Sequence, residues 1–97
     1  MATYVLLGNI TDQGARTIKE LPQRAKGAEE MASKFGIRIK ERLVTLGQYD
    51  VVLVVEAPDD AAVSAFSLNA ASRGTIKFQT LRGFSAEEIE RIIGRLS

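Results

Sequence analysis

The sequence predicts an α+β fold: a ferredoxin-like βαββαβ sandwich with an extra C-terminal helix. Segments typical of strands and segments with helical spacing follow one another in the order strand, helix, strand, strand, helix, strand, helix. Two βαβ units with right-handed crossovers, joined by a hairpin, then give a four-stranded antiparallel sheet with both main helices on one face. Because 97 residues fit one domain and are too few for two, we expect residues 1–97 to form a single domain.

The first strand is predicted at residues 4–10, a short run rich in branched and aromatic side chains. Thr11 or Asp12 can cap the helix that follows, because either side chain can accept a backbone N–H bond. Pro22 interrupts the helical spacing, and proline is tolerated only in the first turn of a helix. The pattern therefore predicts either a kink or a new helix at Pro22, ending where Gly36 can adopt a left-handed conformation.

A hairpin is predicted to join the second and third strands. Alternation in residues 37–46 places alternate side chains on opposite faces, with Ile37, Ile39, Glu41, Leu43 and Thr45 on one face and Arg38, Lys40, Arg42 and Val44 on the other. After a turn at residues 47–50, residues 51–55 are five apolar residues in succession. Such a run is typical of a central strand that is covered on both faces.

The second half of the chain repeats the pattern of strand and helix. Residues 58–60 are predicted to open the second main helix, with acidic side chains at its positive end, and Gly74 to close it. The last strand is expected at residues 75–84. Ser85 and Glu88 stand at the spacing of a capping box. The final helix then carries its large apolar residues on one face: Ile89, Ile92, Ile93 and Leu96.

The face of the sheet away from the two main helices needs a cover of its own. In the first strand Tyr4, Leu6 and Ile10 alternate with Val5 and Leu7, so neither face is polar. An apolar sheet face left in water is unfavourable. The last helix could cover part of it, and a second copy of the sheet could cover more. We therefore expect the chain to bind itself, as a homodimer or a higher homo-oligomer.

Composition excludes several classes of function. The chain has no cysteine and no histidine, which removes thiolate nucleophiles, imidazole bases, the usual zinc sites and haem ligation by those residues. We expect no metal and no cofactor, although a carboxylate site for magnesium or manganese stays possible in principle. With 13 basic and 12 acidic residues the net charge is +1, so no large basic field is present to attract nucleic acid or a membrane.

Local features support the same exclusions. Arg38, Lys40 and Arg42 form a basic row, but no aromatic residue lies between them to stack on bases, so a solvated row is favoured. The start of the chain lacks the basic leader of a secretory signal, and no apolar run approaches the ~18 residues of a membrane span. We therefore expect a cytoplasmic protein with neither nucleic acid nor membrane as a partner.

Several motifs together resemble the GYD-domain family, which takes its name from the residues that stand here as Gly47, Tyr49 and Asp50. The resemblance runs from Tyr4 to about Leu96, and its motifs keep the family's order and spacing: residues 11–14 (TDQG), Pro22 with Arg24, residues 46–50 (LGQYD) and residues 56–60 (EAPDD). It implies membership of the dimeric α/β-barrel group, in which two ferredoxin-like sheets face each other. That group includes cofactor-free monooxygenases, other enzymes and ligand-sensing modules, and fold alone does not choose among them.

Tyr49 and Asp50 are the first candidates for a functional site. In a structural interpretation Gly47 takes a positive φ, Asp50 accepts backbone N–H bonds and Tyr49 packs across the strands. In a functional interpretation the phenol and the carboxylate form a pair at the mouth of a pocket, where tyrosine could bind an oxyanion and aspartate could accept a proton. The structural role is favoured, because hairpin residues usually serve the turn.

Three further residues complete the set of candidate ligand-binding residues. Asn9 lies where the first strand meets the first helix, a place where free N–H groups can bind anions. Arg24 matches the family's Pro-x-Arg and could bind an anionic ligand, or it could form only ion pairs. Glu56 follows five apolar residues and is the carboxylate expected to be most buried.

Three functions remain open after these exclusions. The first is a homo-oligomeric small-ligand-binding or sensing module, with a pocket between the sheet and its covering helices. The second is an enzyme that needs no cofactor or borrows one, of the monooxygenase or isomerase type, using Tyr49 and Asp50. The third is a structural subunit of an assembly. The first is favoured, because the second sheet face is apolar and catalytic side chains are few.

Overall fold

A four-stranded antiparallel sheet organises the structure, which is a computed structural model and describes residues 1–96. The strand order is β2-β3-β1-β4, with strands β1 (Ala2–Ile10), β2 (Arg38–Val44), β3 (Val51–Ala57) and β4 (Ile76–Gly83). The helices are α1 (Asp12–Arg16), α2 (Leu21–Lys34), α3 (Asp60–Ser72) and α4 (Ala86–Ile93). This confirms the predicted ferredoxin-like βαββαβ order and the additional helix at the C-terminal end.

The helix boundaries follow from local chemistry at the predicted positions. Thr11 caps α1 by accepting the Gly14 N–H at 3.1 Å. A short 3-10 helix, Ile18–Glu20, then leads into α2, whose first turn contains Pro22. Of the two alternatives at Pro22, a new helix is therefore correct and a kink is wrong. Proline stabilises this start because its fixed φ suits the first helical turn and its missing N–H would have no partner there.

The two later helices begin at side-chain caps as well. Asp59 accepts the Ala62 N–H at 2.9 Å at the start of α3. At the start of α4 the predicted capping box is present: the Ser85 hydroxyl accepts the Glu88 N–H at 3.1 Å, and the Glu88 carboxylate accepts the Ser85 N–H at 2.9 Å. The hydrogen bond from the Ser85 N–H to the carboxylate, helped by the Ser85 side chain and the Arg82 guanidinium, holds the pKa of Glu88 below its ordinary value. The cap of α4 therefore favours an ionised Glu88.

Three glycines adopt positive φ where the chain reverses. Gly36, with a φ of +73°, ends α2, and Gly74, with a φ of +83°, follows α3. Gly47, with a φ of +112°, lies in the connection between β2 and β3. The left-handed conformations expected at Gly36 and in the hairpin at Gly47 are therefore confirmed. A side chain at any of these positions would strain the backbone, because L-residues rarely adopt this region.

The core lies between the sheet and the helices α2 and α3. Leu6 and Val55 of the two central strands are fully buried, together with Val63 and Phe66 of α3. Burial alternates along β1 and β3, so successive side chains point to the core and to the opposite face of the sheet. From here the face toward α2 and α3 is called the helix-covered face, and the opposite face the open face.

The predicted faces of the second strand are wrong beyond Ile39. In the pairing of β2 with β3, Ile39 lies opposite Val55 and Glu41 opposite Val54, so Lys40 is an extra residue in a β-bulge. A one-residue insertion reverses every later side chain. Arg42 and Val44 therefore lie on the helix-covered face, and Glu41 and Leu43 on the open face. The predicted basic row of Arg38, Lys40 and Arg42 is broken for the same reason.

The close packing at Gly14 generates a stability prediction with a matched control. An alanine Cβ at Gly14 would overlap the Thr75 carbonyl oxygen and come within 2.8 Å of an Ile10 methyl group. Gly14→Ala should lower the free energy of unfolding by about 1–3 kcal/mol, as overpacking does. Gly27→Ala should raise it by about 0.5–1 kcal/mol, because its Cβ meets nothing closer than 3.8 Å and alanine favours the helix. Urea denaturation of both variants is the measurement. Equal effects at the two sites would contradict the packing argument.

Candidate functional site

Asn9, Tyr49 and Asp50 lie together where the hairpin between β2 and β3 meets β1 and β4. The Asp50 carboxylate accepts the Ile10 N–H at 2.8 Å. The Asn9 amide donates to the Gln48 carbonyl at 2.9 Å, and the Tyr49 hydroxyl donates to the Gln79 side chain at 2.8 Å. These contacts fasten the hairpin to both neighbouring strands.

Tyr49 and Asp50 use their polar atoms on different partners. The Asp50 N–H donates to the Gly8 carbonyl at 2.8 Å, so the residue joins the hairpin to β1 through both its backbone and its side chain. No hydrogen bond joins the Tyr49 hydroxyl to the Asp50 carboxylate in residues 1–96. The contacts are those of the structural interpretation, and catalysis by this pair stays a prediction.

The other two candidate residues lie elsewhere. Arg24, on α2, donates to the Thr17 carbonyl at 3.0 Å and to the Gly14 carbonyl at 3.2 Å, across the junction of α1 and α2. Glu56 lies toward the far end of β3, with its side chain 28% exposed and with Arg38 and Lys40 at 4.0 and 3.9 Å. The sequence candidates are therefore three residues at the hairpin and two separate residues, not one cluster.

A cavity of about 130 Å³ lies between α2, α3 and the helix-covered face of the sheet. Its wall is largely apolar and combines side chains from both helices and several strands, among them Ile10, Met31, Leu53, Phe66, Ile76 and Phe78. The two helices meet over only a short stretch, and small residues such as Ala28 and Ala70 face the gap between them. The ligand pocket of the first hypothesis stays a prediction.

Three arginines from three different elements line this cavity: Arg24 of α2, Arg42 of β2 and Arg73 at the end of α3. Arg42 reaches it because of the β-bulge; it donates to the Ala25 carbonyl at 3.1 Å and pairs with Glu29 at 3.4 Å. Of these three arginines, sequence reasoning identified only Arg24 as a ligand candidate. Arg42 was assigned to the wrong face, and Arg73 carries no local signal that would set it apart from other surface arginines.

A hydrogen bond between Tyr4 and Asp60 is a second feature that sequence reasoning missed. The Tyr4 hydroxyl of β1 donates to the Asp60 carboxylate at the start of α3, while the Tyr4 side chain is 3% exposed. The hydrogen bond to Asp60, with burial and the negative charge of that carboxylate, raises the pKa of the Tyr4 phenol above its ordinary value. The Arg82 guanidinium lies 5.6 Å from the Tyr4 ring centroid and acts against this shift. The pair joins α3 to the central strand.

The open face of the sheet carries apolar side chains from all four strands. It includes Val5, Leu7, Val52 and Val54 at its centre, with Leu43 and Leu81 on the outer strands at 54% and 41% exposure. Polar and charged groups of both signs surround them, including Glu41, Glu56 and Lys77. Within residues 1–96 no helix packs across this face.

Helix α4 presents a second uncovered apolar surface. Ile89, Ile92 and Ile93 of this helix, with Leu96 just beyond its end, are 39% to 75% exposed. An ion pair of 3.4 Å between Arg82 and Glu88 links the start of α4 to β4, and the described chain offers the helix no extensive packing beyond that. The suggestion that α4 covers part of the open face is therefore wrong for the isolated chain. We call the apolar side of this helix, defined by these four residues, the α4 stripe.

Residues 1–96 contain neither a membrane-spanning helix nor a metal-binding cluster of side chains. None of the helices in residues 1–96 combines the length and the apolar composition that a membrane span requires. In the same range, no three acidic side chains come together in an arrangement that could hold a metal ion.

Comparison with known proteins decides the family. The family model described as the GYD domain matches residues 4–93, nearly the whole chain. This chain belongs to the GYD family. The resemblance carried by residues 46–50 is thus confirmed, and the three residues that give the family its name stand at the hairpin that joins β2 to β3.

One relative has a name that describes what that relative binds. A GYD-type protein of Thermus thermophilus is 39% identical over 90 residues, covering 92% of this chain and 95% of the relative. It is named "Glutamine synthetase and cystathionine beta-lyase binding protein". No solved structure matches this GYD chain significantly.

The contacts of Asp50 generate a prediction about the hairpin. Asp50→Ala should lower the free energy of unfolding by about 2 kcal/mol, because the Ile10 N–H then loses a charged acceptor. Asp50→Asn should have a smaller effect, since its amide oxygen can still accept this bond. The matched variant Asp12→Ala, at an exposed position of α1, should stay within about 0.5 kcal/mol of the wild type. Urea denaturation measures all three, and an Asp50→Ala effect as small as that of Asp12→Ala would remove the structural role.

The Tyr4 phenol generates a prediction about alkaline pH. Its pKa is raised in the folded state, so its contribution to stability is fully present below the unfolded value of about 10 and is lost as pH rises through the folded value. The free energy of unfolding should therefore fall more steeply between pH 9 and about pH 11 in the wild type than in Tyr4→Phe. Urea denaturation at both pH values gives the comparison, in which lysine titration affects both proteins alike. Parallel pH profiles would contradict the role of Tyr4.

Proposed function

We propose that this GYD protein is a homo-oligomeric binding module that docks on metabolic enzymes and acts through binding rather than catalysis. The observation that carries the proposal is the apolar surface that the described chain leaves uncovered, on the open face and on the α4 stripe. Monomeric soluble proteins rarely expose contiguous apolar patches of this kind, and such patches usually mark interaction sites. A cytoplasmic location is part of the proposal.

A second copy of the chain is the proposed occupant of the open face. Val5, Leu7, Val52 and Val54 form its centre, and a two-fold interface places the same patch on both sides. The surrounding charges are of both signs, so two such faces can meet without net repulsion. The face-to-face arrangement is the one that membership of the dimeric α/β-barrel group implies.

An enzyme is the proposed occupant of the α4 stripe. The capping box and the Arg82–Glu88 ion pair order this helix at its start, yet its isoleucines remain 39% to 58% exposed in the described chain. An ordered amphipathic helix can place such an apolar side into a groove on a partner. The name of the Thermus thermophilus relative supports this class of partner, since that protein is described as binding glutamine synthetase and cystathionine beta-lyase. We extend those two enzymes to this chain as its proposed partners.

The cavity beneath α2 and α3 belongs to the same proposal as a place for a small ligand. A binding module of this kind could report the level of a metabolite to the enzymes on which it docks. The apolar wall and the arginines that line the cavity support this part of the proposal.

Self-association is tested by placing an arginine on the open face and, as a control, on the exposed side of α3. Sedimentation of the wild type at about 10 µM should give a mass of at least twice the 10.6 kDa chain. Leu7→Arg, on the open face, should give a monomer that remains folded by circular dichroism, because a buried unpaired charge opposes association. Ser64→Arg, on the exposed side of α3, should keep the oligomer. A monomeric wild type at this concentration would overturn this part of the proposal.

Enzyme binding is tested with the glutamine synthetase and the cystathionine β-lyase of the source organism. Biolayer interferometry with either purified enzyme should detect a complex with the wild type. Ile93→Arg should weaken it by about tenfold or more while leaving the oligomer intact, because the residue is 58% exposed on the α4 stripe. Ser64→Arg again serves as the control. Absence of binding by both enzymes would overturn the proposed partners, and unchanged affinity in Ile93→Arg would overturn the role of α4.

A further inference from the structure

We infer that the cavity between α2 and α3 binds a small organic anion, with its apolar part inside and its carboxylate or phosphate at the three arginines. This inference deepens the small-ligand part of the proposed function and rests on it. It does not depend on self-association or on the enzymes, because the cavity lies on the helix-covered face and away from the α4 stripe.

The charge of the cavity lining favours an anion. Arg24 donates to carbonyl oxygens and to the Thr17 hydroxyl, and in residues 1–96 no carboxylate lies within 4.0 Å of its guanidinium. The same holds for Arg73. Arg42 has one carboxylate partner, Glu29, whose side chain is 60% exposed. Only the Arg42 guanidinium therefore has a carboxylate partner within 4.0 Å, and a bound anion would supply negative charge that the described chain does not.

The lining also excludes other classes of ligand. It contains no aspartate and no glutamate, so an ammonium group in the cavity would meet only positive charge. Its uncharged polar side chains include Asn69 and Thr75. Amines, amino acids bound through the amino group and metal cations are accordingly disfavoured. A monoanion with an apolar body is the class that fits both the wall and the charge.

The size of the cavity limits the apolar part. A volume of about 130 Å³ is slightly smaller than the ~150 Å³ apolar cavity that holds benzene in an engineered protein. One aromatic ring or one branched aliphatic group would therefore fill it, and a long acyl chain would not fit. At one edge Arg73 of α3 reaches over α2, where Gly27 leaves it room: a Cβ at Gly27 would lie 3.8 Å from its guanidinium nitrogen. Because Arg73 is exposed, this edge is open to water and can admit the anionic group.

Benzoate and phenyl phosphate are the probes, titrated separately into the ¹⁵N-labelled wild type and followed by NMR. One or both should give saturable shifts at the amides of Ala28, Asn69 and Phe78. The better head group distinguishes a carboxylate ligand from a phosphate ester. Benzyl alcohol, which keeps the ring without the charge, benzylamine, which carries the opposite charge, and acetate, which lacks the ring, should each bind at least about tenfold more weakly.

Two variants test separately the positive charge of the cavity lining and the volume of the cavity. Arg73→Gln should weaken binding of the better probe by about tenfold, and Arg95→Gln, which alters an arginine that follows α4 and lies outside the cavity, should leave it unchanged. Ala70→Leu should abolish binding by filling the cavity, with an unfolding temperature no lower than that of the wild type. Should Ala70→Leu fail to fold, Ala28→Val makes a smaller filling change with the same expected loss of affinity.

Three results would overturn the inference: no saturable shift with either probe, equal affinity for benzyl alcohol, or unchanged affinity in Arg73→Gln. Sedimentation and enzyme binding of the same variants separate this inference from the proposed function. Arg73→Gln and Ala70→Leu should keep both the oligomer and the enzyme complex. If ligand binding is absent while these persist, the anion site alone is wrong. If ligand binding is present while the oligomer or the enzyme complex is absent, those parts of the proposed function are wrong instead.

Discussion

The structure depends on the position of β1 between β3 and β4, with apolar side chains on both of its faces. One face, through Tyr4 and Leu6, is buried by the helices, and the other, through Val5 and Leu7, is left on the open face. A strand that is hydrogen-bonded on both sides cannot rotate to bury its second face, and within residues 1–96 no helix packs across that face. The proposed self-association would give the second face of this strand a cover that the described chain does not provide.

Much of the fold could be predicted because its signals are local. A cap such as Thr11, a capping box such as Ser85 with Glu88, and a left-handed glycine such as Gly36 each act within a few residues, so the printed sequence contains the whole interaction. The bulge at Lys40 is different. It depends on how β2 aligns with β3, and the residue type at that position does not predict it.

The site was harder to predict than the fold, because its groups come from distant parts of the chain. Arg42 reaches the cavity only because the bulge turns it toward the helices, and Arg73 does so from the end of α3. The hydrogen bond from Tyr4 to Asp60 joins residues 56 positions apart. By contrast, Tyr49 and Asp50 were recognisable as a motif, and their contacts fasten the hairpin to the neighbouring strands. A recognisable motif here marks the family more directly than it marks a ligand site.

Alternation along β3 separates the two proposed binding surfaces within one strand. Val51 and Leu53 line the cavity, whereas Val52 and Val54 lie on the open face. A ligand in the cavity and a second copy on the open face therefore contact neighbouring residues without competing for the same side chains. Because the sheet is a single layer, a shift of β3 caused by filling the cavity would reach the open face directly, through its own backbone. Such a shift would connect the proposed anion site with the proposed oligomer interface without any contact between the anion and the second copy.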